Sequence, residues 1–179
     1  KPGGIGLSFV WTPELSNQTM SSHELKQMIH KLNQAFDGVN LYFFYYGTTI
    51  LERPRMADLY LAGYSMGCPS LESLRVFTGM FPDSDVPIVV IPQFHERELS
   101  GFTCGLVRYS VYGGYASYSP ADAYIVLDLE SMHSALNYGI LAHELVHVLL
   151  GPYVGEYEVE SMVLIKVGSP APALAETLA

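Results

Sequence analysis

Charge is scarce in this sequence, and positive charge scarcer still. Only 15% of residues are Asp, Glu, Lys or Arg, and nine basic residues against eighteen acidic ones give a net charge of −9. No Lys/Arg cluster or basic–aromatic stripe is present to follow a phosphate backbone, so nucleic acid is excluded as an expected partner. Long hydrophobic runs are also missing. The most apolar stretch, residues 140–150, is interrupted by His143, Glu144 and His147 and is too short to cross a bilayer, so no membrane partner is expected. Cysteine occurs twice, as Cys68 and Cys104, without metal-ligand spacing; an even count fits one disulfide and two buried thiols equally well. Glycine-rich phosphate loops, a nucleophile elbow and a Cys–His arrangement are absent, which leaves covalent catalysis nothing to stand on. The chain opens at Lys1 without a Met or a charged-plus-apolar leader, so the expectation is a removed signal or pro-segment, or trimmed ends. With the Asn17-Gln18-Thr19 triplet as a glycosylation acceptor, the expected location is secreted or extracellular.

What the sequence does have is apolar material in short, punctuated blocks. Hydrophobic residues make up 49% of 179 positions, enough for one folded domain over residues 1–179. Ile5 to Thr12 and Val39 to Ile50 are rich in β-formers and read as strands. Between them, Ser21 and Glu24 open a helix with Leu25, Met28, Ile29, Leu32 and Phe36 on one face, ending near Asp37-Gly38. Residues 52–81 read as helical around Leu71, Leu74 and Phe77. Val86 to Ile91 and Ala123 to Leu127 are continuous apolar runs, as expected of strands buried on both faces. Residues 93–105 read as a loop, and 109–120, alternating Tyr with small residues around Gly113-Gly114, as a glycine-interrupted edge strand. A final helix spans 131–150, stopped by Gly151 and Pro152. The order predicts an α+β fold: a twisted mixed sheet with one antiparallel edge strand, backed by helices.

The chemistry concentrates in His143-Glu144-Leu145-Val146-His147. Residues four apart on a helix share a face, so both imidazoles can reach one ion, while Glu144 projects beside it where a water would sit. A zinc ion lowers that water's pKa, and the carboxylate can take its proton and pass it to a leaving amine. A chance match to this pattern arises on the order of once in a hundred chains of this length. Placement argues against chance: Ile140, Leu141, Leu145, Val148 and Leu149 make the helix apolar nearly all round, where two histidines and a glutamate are costly without a role. His23, His30 and His133 read as solvated or capping residues, and His95 to Glu98 as a solvent-facing loop.

These residues, in this order, resemble the metzincin clan of zinc peptidases, particularly its pappalysin-like (cytophagalysin-like) branch. The likeness runs from LNQAF through VPIVVIP, GGYASYSP and AYIVL to HELVH. It implies one catalytic zinc on His143 and His147, Glu144 as general base, a polypeptide substrate, and Gly114, Tyr115 and Ala116 lining the upper rim of the cleft, where substrate pairs as an added strand. The sequence departs from the clan after the helix. Leu150 and Tyr153 occupy the places of the clan's glycine and third ligand, and Gly151 comes one residue late. The acidic candidates for third ligand are Glu156, Glu158 and Glu160. A metzincin-like turn favours Glu156, with Met162 beneath the metal; a gluzincin-like hairpin brings Glu160 instead. Tyr153 or Tyr157 is placed to hydrogen-bond an oxyanion. The expected function is a zinc-dependent endopeptidase, and the alternative a non-catalytic metal- or peptide-binding module on the same fold.

Overall fold

Two strands and a helix between them follow the sequence pattern closely. β1 (Gly3–Trp11) is followed by a 3-10 turn (Pro13–Leu15), α1 (Ser22–Ala35) and β2 (Leu41–Ile50). Helix α1 starts where the sequence closes a capping box: Ser21 Oγ accepts from the Glu24 amide, and Glu24 Oε1 accepts from the Ser21 amide, both at 3.2 Å. It buries Leu25, Met28, Ile29 and Leu32, and the chain leaves through Gly38, whose φ of 88° only glycine adopts without strain. Asn33 then docks α1 onto β2, its side chain bonding both the amide and the carbonyl of Phe43 at 2.8 Å, while Phe36 packs edge-on against the Phe43 ring.

The structure, a computed structural model, describes residues 3–38, 41–50, 85–94, 101–104, 108–109, 116–117, 123–133 and 137–150. The helical expectation for 52–81 lies outside them. The remaining elements are β3 (Val86–Ile91), β4 (Gly101–Cys104), β5 (Arg108–Tyr109), β6 (Ala116–Ser117), β7 (Tyr124–Asp128), α2 (Leu129–His133) and α3 (Asn137–Leu150).

Five strands form a mixed sheet in the order β2-β1-β3-β7-β4. The first four are parallel, and β4 alone runs antiparallel, against β7. All six residues of β3 and all five of β7 are buried, as their continuous apolar runs predict for interior parallel strands. Burial also pushes the Tyr124 phenol far above its ordinary range. Helix α1 packs on β2 and against α3, and α3 also packs on β4 and β7, so the two long helices share a layer. The result is the expected α+β fold, with β4 the one antiparallel edge among the described strands.

Three local expectations are corrected. Residues 93–105 are not all loop, because Gly101 to Cys104 pair with Leu127 to Tyr124 as the edge strand β4. Of the 109–120 segment, the described residues Tyr109, Ala116 and Ser117 belong not to the main sheet but to a separate two-stranded sheet, β5 with β6. The expected 131–150 helix has an earlier start: Asp128 Oδ1 accepts from the Ser131 amide at 2.8 Å and caps α2 two residues before the sequence suggested, and α3 covers 137–150.

Candidate metal centre on helix α3

Helix α3 reads NYGILAHELVHVLL, and its burial matches its composition. Leu141, Ala142, Leu145, Val146 and Val148 are all buried. Into this apolar surround the helix carries Glu144, 6% exposed, and His147, 8% exposed, with His143 half-buried one turn before His147. Ionisable groups are rarely placed so deep unless paired or in use.

The i, i+4 spacing puts the two imidazoles on one face, with ring centroids 5.0 Å apart and planes inclined at 70°. Two imidazoles sharing one tetrahedral ion, with nitrogens about 2.0–2.1 Å from it, have centroids roughly 5 Å apart. The pair thus fits a common ion, and imidazole nitrogen is a donor that zinc takes readily. Among the described residues no group of three His, Cys, Asp or Glu comes together. The residues expected to complete the set, Glu156, Glu158, Glu160 and Tyr153, lie outside the described residues, as do Tyr157, Met162, Gly114 and Tyr115. Ala116 is the first residue of β6. His23, His30 and His133 are exposed, and Glu24 serves the α1 capping box.

The neighbour of Glu144 that sequence reading missed is Thr103 in β4. Its hydroxyl donates to Oε2 of Glu144 at 2.5 Å, with the Glu144 carbonyl 3.2 Å away. At Gly101 a Cβ would stand 2.6 Å from Cδ2 of Leu127, its partner in β7, so the glycine gives that leucine room against β4, while Ile140 Cγ2 of α3 lies at an ordinary contact distance of 3.5 Å. Two residues on, the same face of β4 carries Thr103. Cys104 next to it is buried and disulfide-bonded, and no described cysteine is a free thiol; the sequence holds one other cysteine, Cys68. The available signal was faint, a β-forming Phe102-Thr103 between two glycines.

Among solved structures, metalloproteinase-II from Bacteroides fragilis aligns with a TM-score of 0.50 at 13% identity, over 83% of this chain and 42% of that one. The fold is metallopeptidase-like. A structure of a chaperone-substrate complex aligns more weakly, with a TM-score of 0.45 at 13% identity over 83% of this chain and 24% of the other, and carries no argument. The chain spans less than half the length of either. No protein-family model and no curated protein sequence matches it. Among the described residues no helix is long and apolar enough to cross a membrane.

Proposed function

We propose that this chain is a zinc-dependent endopeptidase. The observation that carries the reading is the arrangement on α3: two imidazoles at the separation one ion requires, with a buried glutamate beside the first. His143 and His147 would hold the ion, with Glu156 as third ligand. Bound there, zinc supplies Lewis acidity toward a peptide carbonyl and makes water a competent nucleophile near neutral pH.

The chain's own residues do the rest. Glu144, adjacent to a ligand without being one, accepts the proton of the attacking water and returns it to the departing amine. Its burial strengthens its electrostatic effect, because little water competes for the carboxylate. Strand β4, antiparallel and outermost among the described strands of the sheet, is where an extended polypeptide would add as a further strand. Gly114, Tyr115 and Ala116 remain proposed substrate contacts. A secreted or extracellular location belongs to the same proposal and suits the disulfide at Cys104.

The test is cleavage of an unfolded protein by metal-free, zinc-loaded and Glu144→Gln forms. Activity should vanish on chelation and return with zinc. Glu144→Gln should keep its zinc while turnover falls ~10²–10⁴-fold. A zinc-loaded wild type that cleaves nothing would instead favour a metal- or peptide-binding module on this fold.

A further inference from the structure

A glutamate has three torsions between backbone and carboxylate and, unanchored, samples many rotamers. Threonine has one, further restricted by branching at Cβ. The structure couples the two across β4 and α3. Thr103 Oγ lies closer to Glu144 Oε2 than to the Glu144 carbonyl, and a hydroxyl has a single proton, so the carboxylate receives the main hydrogen bond. Fixing Oε2 sets the plane of the carboxylate and so the direction in which Oε1 presents its lone pairs.

We propose that Thr103 is a positioning residue, holding the Glu144 carboxylate in the orientation needed to take a proton. The role rests on the reading of α3 as a peptidase centre. Its anchor is stiff for reasons visible in the fold. Thr103 is in register with Ile125 in the β4–β7 ladder, Leu127 of β7 packs tightly against Gly101 two residues before it, and the disulfide at Cys104 ties down the next residue. The short side chain of threonine transmits that stiffness, whereas a longer donor would not.

The experiment compares Thr103→Val, which keeps the shape and removes the hydroxyl, with Thr103→Ser, which restores it. Steady-state cleavage of an unfolded protein, zinc content and melting temperature are measured for each. Thr103→Val should lower kcat ~10–100-fold, the scale of a misplaced catalytic group, with KM and zinc content unchanged. Thr103→Ser should recover most of the loss. In a Glu144→Gln background, Thr103→Val should cost no further turnover, and its effect on melting temperature should shrink, because the partner is altered. A merely structural threonine predicts the opposite: additive losses, with KM and zinc content moving together with stability. If Thr103→Val does not fold, Thr103→Ala against Thr103→Ser provides the same contrast. Wild-type kcat in the variant lacking the hydroxyl, beside an active wild type, overturns the positioning role alone. An inactive zinc-loaded wild type overturns the peptidase reading and the positioning role with it.

Discussion

The tripeptide His-Glu-Leu occurs in both long helices, as His23-Glu24-Leu25 in the first turn of α1 and as His143-Glu144-Leu145 in the middle of α3. Each helix spans fourteen residues, and each leucine is fully buried. The two glutamates have opposite fates. Glu24 is exposed and its carboxylate closes a capping box, whereas Glu144 is buried and takes a hydrogen bond from a neighbouring strand. Four residues after His23 stands exposed Gln27; four after His143 stands buried His147. Three identical residues therefore carry no chemistry by themselves. The fifth residue makes a pair of donors, and the apolar surround keeps most water from Glu144 and His147.

The comparison is sharpened most strongly at the shared leucine. Leu25→Ala and Leu145→Ala should each cost about 2–5 kcal/mol, since both are fully buried and each leaves a cavity. Denaturant unfolding measures this. Only the α3 variant should also weaken zinc binding, because Leu145 lies between the two ligands in sequence.

Much of this division was legible in the residues. The Ser21–Glu24 spacing and the period of Leu25, Met28, Ile29 and Leu32 define α1 because capping and periodicity are local. Strands β3 and β7 declare themselves through unbroken apolar runs, and HELVH declares itself through spacing. Strand β4 did not, because four residues next to the charged His95 to Glu98 segment acquire strand structure only by pairing with β7. Thr103 was invisible for the same reason: it bonds a residue 41 positions away, and no local pattern encodes that contact. The departure at Leu150 and Tyr153 is plain in the sequence, but the choice among Glu156, Glu158 and Glu160 as proposed third ligand turns on chain direction after Gly151, which local pattern does not encode.

A smaller effect probes the α1 side. Ser21→Ala should cost about 1 kcal/mol, the usual consequence of losing an N-cap hydroxyl. Hydrogen bonds from the Ser21 backbone, then from its side chain, hold the Glu24 carboxyl below its ordinary value of 4.5. Because the folded pKa is lowered, the stabilisation is present above the unfolded pKa and is lost as pH falls through the folded one. Melting curves of the wild type should therefore show a small extra loss below about pH 4.5, and Ser21→Ala should diminish it. Peptidase activity measured near neutral pH should be untouched by Ser21→Ala.

The most direct measurement is zinc affinity, by competition with a chelator, for the wild type and for His143→Ala, His147→Ala and His23→Ala. The wild type should bind about one zinc per chain. Either α3 substitution should reduce affinity by orders of magnitude, because the remaining ligands cannot hold the ion against chelator and water. His23→Ala should bind as the wild type does. Stoichiometric zinc retained by both α3 variants, or lost from His23→Ala, would contradict the assignment of the metal centre to α3.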